Sequence, residues 1–233
     1  MWDNPRLLNA AAGFLVGLSL LAFGLAGVKL ALRSPLFAVR TVEVVTPLTQ
    51  APREAVERAV RQELDGNFFG AHIDELRHAL EQVPWVRSVV IRRVWPDRLE
   101  VAIEEHAALA RWGSSGLVNT YGERFSASGG EALPLFIGPE GSEAELAGRY
   151  HRFVQILRPL DTTLERVVLT PRYAWQLRLA NGLNLMLGRG GDVAEQRLQR
   201  FVDVYDQTLG RMSGPHEYVD LRYANGFAVR VKG

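Results

Sequence analysis

The 233-residue chain has no cysteine. That rules out disulfide cross-links and cysteine-ligated metals, and it suits an oxidising compartment without requiring one. A surplus of either charge is also missing. Twenty-seven Lys and Arg stand against 26 Asp and Glu, a net +1, and the two signs are interspersed. Nucleic acid as the main partner calls for a clustered basic excess, so it is disfavoured. No low-complexity tract or long linker interrupts the chain. The most informative absence is local: between Arg6 and Lys29 there is no charged residue at all.

What fills that gap is Leu7–Val28, LLNAAAGFLVGLSLLAFGLAGV, twenty-two positions of mostly Leu, Ala, Phe, Val and Gly. As a helix it measures roughly 33 Å at about 1.5 Å per residue, enough for a hydrocarbon layer of about 30 Å. A cleaved signal peptide is the alternative, with Ala22-Phe23-Gly24 imitating a cleavage site. Signal cores typically run about 7–15 apolar residues, and this one is longer. A buried soluble helix would need apolar partners on every side. The expected layout is therefore a transmembrane helix, Leu7 to Val28, carrying a body of about 200 residues on one side. Counting Lys29, Arg33 and Arg40 against Arg6, the positive-inside rule mildly favours a cytoplasmic body, but large domains translocate largely regardless of charge. Charge alone leaves the topology open.

The body divides by pattern into two modules. In the first, Phe37–Val45 alternates and is rich in β-branched residues, predicting a strand with Val42 and Val44 on one side. Pro52 introduces a helix with Val56, Ala59, Val60 and Leu64 at helical spacing, ended by Asp65-Gly66-Asn67. Ile73, Leu76, Leu80 and Val83 predict a second helix, stopped by Pro84. Trp85–Val94 and Leu99–Glu105 then form a hairpin about the turn Trp95-Pro96-Asp97-Arg98. The order is β-α-α-β-β.

The second module predicts short strands at Leu109–Trp112, Leu117–Asn119 and Arg124-Phe125. A helix follows, with capping-box spacing at Ser142-Glu143-Ala144-Glu145 and an apolar stripe of Leu146, Tyr150, Phe153 and Leu157. Trp175, Leu177 and Leu179 alternate into Asn181-Gly182, the favoured pair for a tight hairpin, and Leu183, Leu185 and Leu187 alternate back. Asp192 is expected to cap the next helix, whose apolar face is Leu198, Phe201, Val202, Tyr205 and Leu209. Tyr218–Tyr223, a turn at Asn225-Gly226 and Phe227–Val231 close the chain. That final strand is expected to be a sheet edge with unpaired backbone groups. One reading is an ordinary edge blunted by Arg230 and Lys232. The other is a rail on which a partner strand docks.

No catalytic constellation stands out. His72, His78, His106, His151 and His216 include no HExxH and no other compact metal pair. Gly113-Ser114-Ser115-Gly116 is one residue short of a nucleophile elbow. Gly188-Arg189-Gly190-Gly191 has the local setting of a phosphate loop, but lacks the third Gly and a Walker lysine, and a plain loop is the better reading. Glu104 and Glu105 belong to opposite sheet faces, which disfavours joint acid–base work. Trp85 and Trp175 are expected at strand positions facing the interior. Trp95, in a turn, is a candidate for partner contact. No cofactor, metal or catalytic residue is expected.

Pro84-Trp85-Val86, Arg93-Val94-Trp95-Pro96-Asp97 and Leu99-Glu100-Val101, in that element order, resemble a POTRA domain, in particular that of the FtsQ/DivIB cell-division family. Leu135–Ser142, Arg172-Tyr173-Ala174-Trp175, Leu187-Gly188-Arg189, Arg197–Phe201 and Tyr218–Val229 resemble the β-domain that follows it in that family. The resemblance runs from the anchor to the last residue. It implies an α+β protein: tail and anchor over 1–33, POTRA over 36–106, and a mostly antiparallel β-domain with two or more helices over 107–233. It further implies a non-enzymatic divisome scaffold of the inner membrane, N-terminus cytoplasmic and body periplasmic, enriched at the septum. The implied partners are FtsB and FtsL, together with the septal synthase of FtsW and FtsI. The FtsB contact is carried over to the edge: Tyr218, Tyr223, Asn225, Gly226, Phe227, Ala228, Val229, Arg230 and Val231, with Arg172 and Trp95 as further contact candidates. A POTRA-bearing secretion factor would predict several such units or a barrel, and a tethered cell-wall enzyme would need a catalytic cluster. Neither feature is visible in the sequence.

Overall fold

The structure is a computed structural model. It describes residues 5–32, 39–63, 68, 72–211 and 216–231. The expected start of the first strand at Phe37, the helix end at Leu64–Asn67, the flank residue Arg33 and Lys232 lie outside the described residues. Helix α1 runs Pro5–Leu32 and contains the whole predicted apolar stretch. Its described side chains are exposed, as suits a helix apolar all round with lipid for a neighbour. The chain separates into two compact units, divided between Glu105 and His106.

The first unit has the elements β1 (Thr41–Val44), α2 (Arg53–Glu63), α3 (Ile73–Glu81), β2 (Val86–Val94) and β3 (Arg98–Glu105). Central β3 pairs in parallel with β1 and antiparallel with β2. Val56 and Ala59 of α2, Leu76 and Leu80 of α3, and Val89, Leu99, Val101 and Ile103 of the sheet form the core. The expectation for Trp85 needs correction. It precedes β2, is half-buried and adopts φ +72°, so it belongs to the turn after Pro84. The Glu105 carboxylate folds over the segment before α2. It accepts the backbone N–H of Thr49, Gln50 and Ala51 and the Thr49 hydroxyl. Burial tends to raise its pKa, but these bonds outweigh that and hold it below the ordinary value.

The second unit has β4 (Ala108–Trp112), β5 (Leu117–Asn119), β6 (Arg124–Phe125), β7 (Leu135–Ile137), α4 (Glu143–Leu157), β8 (Leu164–Leu169), β9 (Ala174–Leu179), β10 (Asn184–Arg189), α5 (Gly191–Val204), β11 (His216–Asp220) and β12 (Ala228–Val231). The strands form one sheet in the order β12-β11-β10-β9-β8-β7-β4-β5-β6. Five of its eight pairings are antiparallel; β4–β7, β7–β8 and β10–β11 are parallel. Period-two alternation sorts the side chains into two faces. Val167, Leu177, Leu185, Val219 and Val229 line up across five strands and join the core with α4 and α5. One position along, Arg166, Arg178, Asn184, Tyr218 and Arg230 line up on the other face. Phe153 and Trp175 meet edge-on at 5.5 Å inside the core.

Two expected helix caps do not form. Ser142 precedes α4, but its hydroxyl donates to the Pro139 carbonyl at 2.5 Å instead of capping the helix. Asp192 lies inside the first turn of α5, behind Gly190, and makes no cap. It accepts instead from Arg149 of α4 at 2.7 Å, and Glu195 accepts from the same guanidinium at 2.5 Å. Tertiary contacts thus take the side chains that the local motif would have used. Gly188-Arg189-Gly190-Gly191 carries the chain from the end of β10 into α5, and the Arg149 guanidinium sits where a Cβ on Gly191 would stand.

Candidate functional site

The last strand lies at the end of the nine-stranded sheet. β12 pairs antiparallel with β11 through Tyr218↔Arg230, Val219↔Val229 and Asp220↔Ala228, and among the described residues β11 is its one neighbour in the sheet order. Val229 turns toward the core, while Ala228 and Arg230 are exposed. On the outer face the Arg230 guanidinium lies 6.0 Å from the Tyr218 ring centroid, and its Nε is 3.2 Å from Glu217 Oε2. An edge strand with one bonded flank presents its other row of N–H and C=O groups outward.

The edge is shorter than its sequence suggests. Leu221–Tyr223 and Phe227, expected in strands, belong to the connection between β11 and β12. Phe227 instead packs its half-buried ring edge-on against Phe201 of α5, at 5.6 Å. Arg200 of the same helix donates to the Ala224 carbonyl at 2.7 Å. Between helix and loop is a pocket of about 430 Å³ lined by Phe201, Val204, Leu221, Asn225, Gly226 and Phe227 among others. Tyr223 stands out from this loop, 58% exposed.

The turn out of β11 is set by a carboxylate that sequence reading passed over. Asp220 is buried, and accepts Arg222's backbone N–H at 3.0 Å, its Nε at 2.8 Å and its Nη2 at 2.6 Å. These bonds from Arg222, chiefly the side-chain ones, hold the Asp220 carboxyl below the usual range against the opposing effect of burial. The available signal was a lone acid in the apolar run Tyr218-Val219-Asp220-Leu221 with an arginine two residues on.

Beside this turn is a groove of about 750 Å³ whose walls carry Arg172, Arg189, Arg197 and Arg222, the last bonded to the Asp220 carboxylate. Arg197 is fixed by donating to the Leu187 carbonyl at 2.7 Å. Gly188, at φ +79° on a bulge in β10, forms the floor. A Cβ there would come within 3.0 Å of both Arg197 and Arg222. The groove can take an anionic group by paired guanidinium bonds. Arg172 is thus brought close to Arg222 from fifty residues away, and Tyr223 follows Arg222 directly. Trp95 belongs to the first unit and is 72% exposed in the β2–β3 turn. The side chain of Val231 lies outside the described residues.

Comparison with known proteins meets this geometry at several points. The family model for the FtsQ-type POTRA domain matches residues 37–106, and that for the cell division protein FtsQ/DivIB C-terminal region matches 110–222, ending just before the edge strand. The chain is 42% identical to cell division protein FtsQ of Burkholderia pseudomallei, over all of this chain and 95% of the relative. It is 40% identical to that of Nitrosospira multiformis over 99% of each, and 30% identical to that of Neisseria gonorrhoeae over 99% of this chain and 95% of the relative. An apolar anchor helix, an FtsQ-type POTRA unit and a C-terminal β-unit matched over most of its length make this chain a membrane-anchored member of the FtsQ/DivIB family of cell division proteins.

Proposed function

We propose that the chain is a non-enzymatic scaffold of the divisome, with a cytoplasmic N-terminus and a periplasmic body made of a POTRA domain (36–106) and a β-domain (107–233), enriched at the septum. Its β-domain captures FtsB, in complex with FtsL, by strand addition on β12. Through that complex it helps control septal peptidoglycan synthesis by FtsW and FtsI. The observation that carries the reading is the single-sided pairing of β12. An extended partner segment gains a row of backbone hydrogen bonds there, and alternate side chains meet Arg230 and the Phe227 pocket. The arginine groove beside the turn suits a carboxylate of the same partner.

Two proline substitutions test it together. Ala228→Pro and Val229→Pro lie on opposite parities of the strand, so one of them removes an outward N–H and the other an N–H bonded to β11. Capture of the FtsB periplasmic segment by the purified body is expected to fall steeply in the outward variant while its melting transition stays cooperative. If both variants fold and both still bind FtsB at wild-type affinity, strand addition on β12 is refuted. A fluorescent fusion to the N-terminus is expected at midcell in dividing cells.

A further inference from the structure

Trp95 is the most exposed of the large apolar side chains outside α1 among the described residues, at 72%. It stands at the tip of the β2–β3 hairpin, between Val94 and an exposed Pro96. The topology determines which end of the first unit that tip occupies. β1 runs parallel to β3, and its first residue, Thr41, is in register with Arg98, the first residue of β3. Arg40 donates its backbone N–H to the Asp97 carbonyl at 2.8 Å, so the chain enters the sheet against the hairpin turn. The far end of the sheet, at Val44 and Glu105, leads away.

The anchor bounds how far this tip can be from the bilayer. α1 ends at Leu32, and Arg40 is eight residues later. Eight residues span at most about 28 Å at about 3.5 Å each. The hairpin tip is therefore confined near the bilayer surface at a high effective concentration, where weak contacts suffice for docking. Its chemistry fits that surface. An indole, apolar in body with one polar N–H, favours the headgroup level of a bilayer. At the tip Arg92, Arg93 and Arg98, with Arg40 beside them, stand against Asp97, which is 3.8 Å from Arg40, Glu43, which is 3.3 Å from Arg98, and Glu100, in register with Arg92, so the cations keep a small local excess. Basic groups at this level attract anionic headgroups.

We propose that the β2–β3 hairpin tip docks on the bilayer beside the anchor, with the Trp95 indole at the headgroup level and the flanking arginines against anionic lipid. This contact restricts the swing of the first unit about its tether. It does not depend on strand addition at β12, and either can fail alone.

The experiment uses the full chain in nanodiscs whose lipids carry bromine near the top of the acyl chains, which quenches indole fluorescence on contact. Four other tryptophans contribute, Trp2, Trp85, Trp112 and Trp175, so the Trp95 signal is wild type minus Trp95→Phe. That difference signal is expected to be lost in brominated discs and present in plain ones, with stronger loss when phosphatidylglycerol is included. Because the chain has no cysteine, Trp95→Cys carrying a polarity-sensitive dye gives a second readout. Its emission is expected to shift to the blue in discs relative to the same labelled chain in detergent-free denaturant, and a water-soluble quencher is expected to reach it less in discs. A Trp95 signal equal in brominated and plain discs, with the dye at 95 reporting water, overturns the proposal in favour of an aqueous or protein-facing tip. Quenching indifferent to phosphatidylglycerol overturns the part assigned to the arginines.

Discussion

Asp220 and Arg222, two residues apart, are joined by three kinds of hydrogen bond, from the backbone N–H, Nε and Nη2 of Arg222 to one buried carboxylate. This knot turns the chain out of β11 and aims Arg222 at the arginine groove, while the rest of the connection runs on to β12. The fold of this turn and the placing of Arg222 at the groove thus share one carboxylate.

Asp220→Asn is expected to destabilise the second unit by about 1.5–3 kcal/mol, the scale of hydrogen bonds to a charged group. The pH dependence has a definite sign. Arg222 holds the folded carboxyl below its unfolded value of about 3.9. The stabilisation is therefore full above that value and fades as the pH falls through the lower folded one. Urea midpoints measured from neutral pH downward should show a gap between wild type and variant that closes in acid. A constant gap would mean that the charge is not what matters.

Glu105 makes the corresponding prediction for the first unit. Four donors converge on it from Thr49, Gln50 and Ala51. Glu105→Gln keeps one accepting oxygen but points an NH2 group at donors, so it should cost about 2 kcal/mol and lower that unit's melting temperature by several degrees. Because its folded pKa is also lowered, this contribution too is lost in acid.

Arg166 should be a site of stabilisation. It lies directly opposite Arg178 across β8 and β9, and its buried Nε meets no hydrogen-bond partner among the described residues. Like charges opposite each other and an unmet buried donor both oppose folding. Glu165 satisfies Arg178, at 2.9 Å. Arg166→Met keeps the aliphatic stem and is expected to raise stability by about 1 kcal/mol, read as a higher urea midpoint with unchanged slope.

Gly191 and Arg149 offer a sign reversal. Alanine in a helix is favoured over glycine by about 1 kcal/mol. At Gly191, however, the new methyl collides with the guanidinium that bonds Asp192 and Glu195. Gly191→Ala should therefore destabilise the wild type and stabilise the Arg149→Ala background, a coupling that a double-mutant cycle measures directly.

What sequence made legible was periodic. Of the stripe Leu198, Phe201, Val202, Tyr205 and Leu209, the first three are buried in α5 as their spacing predicts, while the helix ends at Val204, Tyr205 is half-buried and Leu209 is buried from the turn that follows; Trp175, Leu177 and Leu179 are buried ahead of the Asn181-Gly182 turn. These patterns survive because burial of apolar groups is non-directional and dominates over local detail. Single polar side chains were less legible. Ser142 and Asp192 satisfy their local cap motifs on paper, yet each found a different partner once distant elements closed in. Phe227 alternates like a strand residue but is drawn off by Phe201.

The sequence by itself determined an apolar span long enough to cross a bilayer, two modules in order, and the alternation of the last strand, because hydrophobic period and chain order are one-dimensional properties. Only the tertiary structure decided that four arginines from positions 172, 189, 197 and 222 would share one groove, or that Arg166 would face Arg178. Those meetings depend on strand register, on the bulge at Gly188 and on a parallel β10–β11 pairing. Register is a relation between segments far apart in the chain, and a shift of one residue would turn the strand residues among them, Arg166, Arg178 and Arg189, to the opposite face.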